Sequence, residues 1–262
     1  MDSNQKIFSR FLEKRNISYN EIFNSVKFGS KDKSKTIIGY CSKLDGLGNE
    51  FSDIDLYILD HEFEKRDYLL SYQNCTGVEV INVKGISLDI EYWTYGEILK
   101  IITEFQSLTR GTEVNEDILK LVLRLKFGVV IANSEKMNEI NNALKLVDLE
   151  AIIVNKFDME ARSNYADALN FFRAQDYIVA LDCARNSLKY AIALNNAKHG
   201  KLILKPKWFS RVYINNNGYG NNVELKEFLH LLYFSNISEE NLELHVEEML
   251  FFIQELLTNH IF

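Results

Sequence analysis

An acidic triplet interrupts an apolar, strand-like run in the first quarter of the chain. The segment Phe51 to Leu59 reads FSDIDLYIL, so two aspartates stand two residues apart among isoleucine, leucine and tyrosine. Side chains two apart in a strand point to the same face, so Asp53 and Asp55 share one. Ile54 and Leu56 then point to the opposite face, into a core. Neighbouring carboxylates repel each other and resist desolvation, so the pattern predicts that a cation balances them.

The segment before this strand has the composition of a phosphate-binding loop. It follows the apolar, strand-like run Thr36 to Cys41 and contains two glycines, two serines and an asparagine. Such residues let backbone N–H groups approach phosphate oxygens, and we expect these contacts at Ser42, Gly46, Gly48 and Asn49. The residues predicted to bind nucleotide in this loop are Ser42, Lys43, Asn49 and Ser52. Because Mg²⁺ is usually held by one or two carboxylates plus substrate phosphates, loop and strand together predict a magnesium–nucleotide site.

The spacing within this segment resembles a known family signature. A strand is followed by a small residue and Ser42, and Asp53 comes eleven residues later, opening an acid-hydrophobic-acid-hydrophobic run. This order resembles the signature of the DNA polymerase beta-like nucleotidyltransferase superfamily, and GLGNEFSDIDLYIL is similar to the form in small bacterial nucleotidyltransferases. The resemblance implies that Ser42 contacts nucleotide phosphates and that Asp53 and Asp55 bind catalytic magnesium ions.

The same family places a third carboxylate on a neighbouring strand. The run GISLDIEYW, Gly85 to Trp93, supplies two acids that share a strand face. LDIEYWTYGEIL is similar to the corresponding segment of kanamycin-type nucleotidyltransferases. The resemblance implies that Asp89 is the third metal ligand and that Glu91, one step further along, is a candidate general base. A solvated or salt-bridged role is the alternative for Glu91.

The first residue of the motif departs from the family. Cys41 stands where the family has a glycine that allows the backbone to approach the nucleotide closely. A side chain at this position is expected to shift or weaken nucleotide binding.

The two halves of the chain differ in hydrophobic period. Apolar alternation in the first half predicts strands flanked by helices, with a hairpin around Lys84-Gly85. From Lys136 onward the helical period dominates, and Ile214 to Asn222 reads as a loop. The predicted fold class is α+β, with a nucleotidyltransferase-type sheet domain over residues 1–140 and a helical bundle over residues 141–262.

One pair of basic residues in the helical half is a candidate for nucleotide binding. Arg185 and Lys189 lie one helical turn apart, so they share a face and could reach nucleotide phosphates. An ordinary solvated helix face is the alternative. The surrounding pattern resembles the helical domains that follow antibiotic nucleotidyltransferase cores.

Composition limits the classes of partner. The chain has 262 residues and a net charge of −7, which disfavours a general nucleic-acid binder but leaves room for a local basic channel. No apolar run reaches the ~18 residues of a membrane span, and the N-terminal segment lacks a secretory apolar core. Three cysteines without metal or disulfide spacing agree with a cytoplasmic protein.

These observations predict a magnesium-dependent nucleotidyltransferase. The expected reaction transfers a nucleoside monophosphate, AMP from ATP, to a hydroxyl of a small molecule such as an antibiotic or a peptide-like metabolite. Two magnesium ions and a homodimer are expected by analogy with the family. Two alternatives remain: a nucleotidyltransferase that acts on protein or RNA, of toxin–antitoxin type, and a non-catalytic descendant that only binds nucleotide.

Overall fold

The computed structural model describes residues 3–26, 35–63, 75–109, 111–217 and 223–259, and the chain forms two compact units. The first comprises Met1–Leu108 and Val114–Asp148, and the second comprises Thr109–Glu113 and Leu149–Phe262. The predicted α+β class is confirmed, because the described strands all lie in the first unit and the second is helical. The division into functional domains at residue 140 stays a prediction.

The first unit combines a five-stranded sheet with helices. Its elements are α1 (Ser3–Glu13), α2 (Tyr19–Ser25), β1 (Thr36–Tyr40), β2 (Ile54–Asp60), β3 (Gly77–Val83), β4 (Ile86–Thr94), α3 (Tyr95–Gln106), α4 (Glu116–Phe127), β5 (Val129–Ala132) and α5 (Ser134–Leu144). The strand order is β3-β4-β2-β1-β5, in which β2 and β4 run parallel and the other neighbours run antiparallel. The two acidic strands of the sequence are therefore adjacent at the centre of the sheet.

The β3–β4 hairpin forms where the sequence predicts it. Lys84 and Gly85 both adopt positive φ angles, 52° and 84°. Two consecutive positive φ values match the twist that a two-residue hairpin turn requires. The turn fixes the register of β4, in which Ile81 pairs with Leu88 and Val80 with Asp89.

One face of the sheet is apolar and carries α1 and α2. Ile54, Leu56 and Ile58 of β2 are fully buried in a core cluster with Leu88 and Ile90 of β4. Three residues of α1 join the same cluster: Phe8, Phe11 and Leu12. This arrangement confirms that the residues between the acids point into a core. The acids themselves alternate with these residues and occupy the opposite face.

The second unit is a set of helices with a tightly packed central pair. Its elements are α6 (Leu149–Arg173), α7 (Tyr177–Lys198), a 3₁₀ turn (Pro206–Trp208), α8 (Phe209–Asn217), α9 (Val223–Leu229), a π-helical turn (His230–Phe234) and α10 (Leu242–Asn259). Small buried residues let α6 and α7 approach closely, and the Ser187 hydroxyl donates to the Ala161 carbonyl at 2.8 Å. None of the described helices has the length and apolarity needed to cross a membrane.

The structure tests the predicted loops only in part. The predicted loop Ile214 to Asn222 is wrong at its start, because α8 continues to Asn217, and residues 218–222 lie outside the described residues. The sequence also predicts a polar, basic loop from Lys27 to Lys35, of which residues 27–34 lie outside the described residues. Lys35, which ends that loop, is buried and donates to the Val26 carbonyl at 3.4 Å.

The packing of α4 on the sheet predicts a sensitive glycine. A Cβ on Gly128, which ends α4, would lie 2.6 Å from the Arg124 carbonyl oxygen and 2.6 Å from Ile38 Cγ2. We expect Gly128→Ala to lower the free energy of unfolding by about 1–3 kcal/mol, because a backbone atom must move. Urea unfolding followed by Trp93 fluorescence in a Trp208→Phe background measures this in the first unit.

Gly96→Ala is the matched control for this prediction. Gly96 lies in the first turn of α3, and a Cβ there meets no described atom within 4 Å. This variant should be as stable as the parent or slightly more so, since alanine favours helix. Equal unfolding free energies for the two variants would contradict the close contact of Gly128 with β1.

Candidate active site

Two carboxylates face each other across the central pair of strands. In the parallel β2–β4 ladder, Asp55 pairs with Asp89 and Tyr57 pairs with Glu91. Asp55, Asp89 and Glu91 are half-buried, whereas Asp53 lies just before β2 and is exposed. The Ser87 hydroxyl donates to Asp89 Oδ1 at 3.0 Å. The sheet register therefore brings together Asp55 and Asp89, two of the three acids that the sequence predicts to act together.

A buried arginine that the sequence analysis missed engages Asp55. Arg124 Nη1 lies 2.9 Å from Asp55 Oδ1, and the two side chains are 3% and 16% exposed. The same nitrogen donates to the Tyr57 hydroxyl at 2.6 Å, and the guanidinium carbon lies 5.2 Å from the centre of the Tyr40 ring. The negative charge of Asp55 is thus balanced from inside the protein.

The surroundings keep this arginine charged and its tyrosine neighbours neutral. Burial alone would lower the pKa of Arg124, but Tyr57 and Asp55 outweigh burial and raise that pKa overall. Burial raises the pKa of Tyr57 well above its usual value. Burial, reinforced by Asp45, also raises the pKa of Tyr40, whose hydroxyl donates to the Asp45 carboxylate. Both phenols are therefore hydrogen-bonding groups and not anions at neutral pH.

The acids fit a magnesium ion only in part. In the described ranges, no three or more histidine, cysteine, aspartate or glutamate side chains form a group that could hold a metal ion. The predicted ligand set Asp53, Asp55 and Asp89 is not gathered into such a group. The donor chemistry does fit, because these are hard carboxylate oxygens and Mg²⁺ needs only one or two when substrate phosphates complete its coordination. Their metal-binding role stays a prediction.

The predicted phosphate loop is closed by its own hydrogen bonds. The N–H groups of Gly46 and Leu47 donate to the carbonyls of Lys43 and Ser42, each at 3.0 Å. The Asn49 N–H donates to the Ser52 hydroxyl at 2.9 Å. Turns within the loop therefore use the N–H groups of Gly46 and Asn49 in this structure, and their contact with phosphate stays a prediction.

Gly48 lets the two arms of the loop touch. A Cβ at this position would lie 2.6 Å from the Ser52 hydroxyl oxygen and 2.9 Å from the Ser42 Cβ. The predicted phosphate-binding serines, Ser42 and Ser52, therefore both pack against Gly48. Asn49 uses its side-chain oxygen to accept from the Phe51 N–H at 2.8 Å. The loop is therefore compact. The nucleotide-binding roles of Ser42, Asn49 and Ser52 stay predictions.

The cysteine in the motif is a core residue. Cys41 is fully buried and belongs to the apolar cluster that includes Phe8 of α1 and Ile54 of β2. The chain thus uses this position for packing beneath the loop. The expected interference of its side chain with nucleotide binding stays untested.

Glu91 is held by an aromatic neighbour. The Trp93 indole N–H donates to Glu91 Oε2 at 3.0 Å, and both residues lie on the β4 face that carries Asp89. The indole fixes the direction of the carboxylate. A fixed, half-buried carboxylate beside Asp89 suits the predicted general base, whose role remains a prediction.

The two basic residues predicted in the helical half lie in the second unit. Arg185 and Lys189 are both half-buried on α7. The Arg185 Nε is buried and finds no hydrogen-bond partner among the described residues. Arg185 also helps to lower the pKa of His245, after burial as the main cause. Their contact with nucleotide phosphates stays a prediction.

The missed arginine leaves a signal in the sequence. Arg124 stands in DILKLVLRLKF, where leucines and valines at helical spacing define the buried stripe of α4. A charged residue inside an apolar stripe must be paired when the helix packs. On the sheet, the corresponding signal is Tyr57, which lies in the same strand as Asp55 and has a hydroxyl group that can pair with a buried cation.

No protein-family model matches this chain, and no curated protein matches it either. Among solved structures, the chain is similar to a nucleotidyltransferase-like protein from Exiguobacterium sibiricum, with 13% sequence identity and a TM-score of 0.47. The match covers 95% of this chain and 75% of that protein's chain. At this level of similarity, only the residues of the chain itself can support a functional conclusion.

The ion pair predicts a strong coupling between two residues. Arg124→Met leaves the Asp55 carboxylate half-buried without its countercharge, so we expect the free energy of unfolding to fall by about 3–5 kcal/mol. Adding Asp55→Asn should recover part of that loss. Urea unfolding of Arg124→Met, Asp55→Asn and the double variant, monitored by Trp93 fluorescence as above, measures the coupling, with exposed Lys126→Met as control on the same helix. Strictly additive losses would show that the pair is not coupled.

Burial of the thiols predicts their reactivity. Burial raises the pKa of Cys41 to about 11 and that of Cys75 to about 12. Because the thiolate is the reactive form, only about one Cys41 in a thousand is reactive at pH 8. We expect iodoacetamide to modify half-buried Cys183 first, and the Cys41 rate to rise about tenfold per pH unit up to its pKa. Mass spectrometry of native and urea-unfolded protein tests this; equally fast Cys41 labelling in both would contradict its burial.

Proposed function

We propose that this protein transfers a nucleoside monophosphate from a nucleoside triphosphate, ATP, to a hydroxyl group of a small molecule. The observation that carries the proposal is the β2–β4 register, which sets Asp55 directly opposite Asp89 on one face of the sheet. The small-residue loop Cys41 to Asp53 leads into the first of these strands. Its fit to the order of the family signature supports the same reading.

Each residue has a proposed role in binding. The loop residues would contact the triphosphate. Arg185 and Lys189 of α7 keep their proposed role in binding nucleotide phosphates. Asp53, Asp55 and Asp89 would hold magnesium. When bound, magnesium supplies positive charge that offsets the triphosphate and the departing pyrophosphate. The loop residues in this role are Ser42, Lys43, Asn49 and Ser52.

Glu91 would move the proton. The acceptor hydroxyl oxygen forms a bond to the α-phosphorus, and the bond from that phosphorus to the bridging oxygen breaks. Pyrophosphate leaves with the electron pair of the broken bond, and the hydroxyl proton passes to the Glu91 carboxylate. The hydrogen bond from Trp93 orients that carboxylate before the acceptor arrives.

A small acceptor suits the charge of the chain. The net charge of −7 repels polyanions such as RNA and attracts cationic small molecules, for example an aminated antibiotic. A homodimer and a cytoplasmic location belong to the same proposal.

A second candidate function is nucleotide binding without catalysis. The Arg124–Asp55 ion pair favours this candidate, because the guanidinium already holds one oxygen of a predicted metal ligand. The two candidates differ in one measurable property, the release of pyrophosphate.

The test is turnover with magnesium and each triphosphate, in the presence of hydroxyl-bearing acceptors such as aminoglycosides and lincosamides. We expect pyrophosphate release with ATP to fall about a hundredfold or more in Asp89→Asn, since loss of metal charge stabilisation costs several kcal/mol. Glu91→Gln should fall by a similar factor, as expected for a general base. Glu104→Gln, an exposed carboxylate on α3, is the matched control.

The outcomes separate the candidates. ATP binding without pyrophosphate release from any acceptor would favour the non-catalytic binder. Absence of binding of every triphosphate, measured by calorimetry with magnesium present, would overturn both. Full activity of Asp89→Asn would remove the site described here from the reaction.

A further inference from the structure

A second polar feature of the first unit lies between α1 and the loop. It is a cavity of about 390 Å³. Four cationic side chains and one carboxylate line it, in a protein whose net charge is negative. The lining residues are Ile7, Arg10, Phe11, Lys14, Arg15, Lys43, Asn49 and Glu50.

The helical repeat of α1 creates the basic wall. Ile7, Arg10, Phe11 and Lys14 are spaced three, four and seven residues from the first, which places them on one helix face. Arg10 and Lys14 are exposed at this face, and Ile7 and Phe11 provide an apolar floor. The opposite wall is the loop, which contributes the half-buried Lys43.

Arg15 connects α1 with the loop and has one hydrogen-bond donor that finds no partner among the described residues. Its Nη1 donates to the Ser52 carbonyl at 3.4 Å, and its guanidinium lies 4.6 Å from the centre of the Phe11 ring. Its Nη2 is buried and finds no hydrogen-bond partner among the described residues. Burial lowers the pKa of Arg15. A buried, unpaired guanidinium nitrogen is costly, and an anionic acceptor within the cavity would offset that cost.

The cavity is separate from the acidic face of the sheet. α1 packs on the apolar face, with Phe8, Phe11 and Leu12 in the core cluster, whereas Asp55 and Asp89 alternate with core residues and lie on the other face. The loop is the element that the two features share. A ligand in the cavity would therefore meet residues that the proposed reaction does not use, apart from Lys43 and Asn49.

We propose that this cavity binds an oligophosphate, an anion of two or more linked phosphate groups. Several converging cations around a compact volume suit three to four negative charges better than a single carboxylate, and guanidinium groups bind phosphate oxygens in a fork. Two sources share this chemistry: the β- and γ-phosphates of the nucleotide, in which case the inference rests on the proposed function, and a separate phosphate-bearing ligand.

Calorimetric titration of the full-length chain with tripolyphosphate, and separately with ATP and magnesium, tests the proposal at low ionic strength. The variant carries Arg10→Gln and Lys14→Gln, two exposed positions at which a neutral polar residue leaves the core unchanged. The matched control is Lys6→Gln, an exposed cation of α1 that does not line the cavity. We expect the double variant to bind tripolyphosphate about tenfold more weakly, from the loss of two exposed charge contacts. The control should bind like the parent.

The source of the phosphate follows from the ATP titration. Equal weakening of ATP and tripolyphosphate, with competition between them, identifies the nucleotide's own phosphates as the ligand. Unchanged ATP affinity, with both ligands bound at once, identifies a separate phosphate-bearing ligand. The proposal is overturned if the parent fails to bind tripolyphosphate, or if the double variant and the Lys6→Gln control bind it equally well.

Failure of the proposed function would give a different result. Asp89→Asn changes the acidic face and not the cavity, so it should retain the tripolyphosphate affinity of the parent. Absence of pyrophosphate release from the parent, together with normal tripolyphosphate binding, would remove the catalytic proposal and leave the cavity assignment standing. Loss of tripolyphosphate binding in Asp89→Asn would overturn the separation of the two features.

Discussion

The guanidinium of Arg124 is almost completely buried, so its charge must be balanced inside the first unit. Asp55 supplies the countercharge, Tyr57 accepts a hydrogen bond, and the Tyr40 ring faces the cation. These partners come from β1 and β2, while the arginine comes from α4. The ion pair therefore specifies where α4 docks on the sheet. An apolar helix face alone would tolerate small shifts, whereas a buried charge that must stay beside its countercharge tolerates few.

This constraint also explains how an acidic strand can lie at the centre of a stable sheet. Asp55 and Asp89 are neighbours in the ladder, where like charges destabilise each other. Arg124 neutralises one of them and the Ser87 hydroxyl donates to the other. The polar face is consequently ordered by the protein's own groups. Any reaction there must exchange some of these contacts for contacts to substrate.

The local sequence pattern predicted the features of the fold that depend on hydrophobic alternation and on turn residues. The alternation around Asp53 and Asp55 indicated which residues enter the core, and Lys84-Gly85 indicated the hairpin. The ion pair between Arg124 and Asp55 could not be predicted, because no residue near Arg124 in the sequence indicates which distant residue is its partner. The asparagines at the end of α8 read as a loop, although the helix continues through them to Asn217. Cys41 was interpreted through the family signature, whereas its burial comes from a core assembled from distant segments.

Helix α1 packs against the core with one set of residues and lines the cavity with another. The helical repeat fixes the positions of the two sets relative to each other. The core residues Phe8, Phe11 and Leu12 are interleaved along the sequence with the cavity residues Arg10 and Lys14, the last of which directly follows the helix. Inserting one residue would rotate everything beyond it by about 100° relative to what precedes it. Cations would then turn toward the apolar face of the sheet, and a phenylalanine would turn toward solvent. A one-residue insertion within Ser3–Glu13 would therefore disturb both surfaces at once, whereas a substitution of one exposed residue changes only its own position.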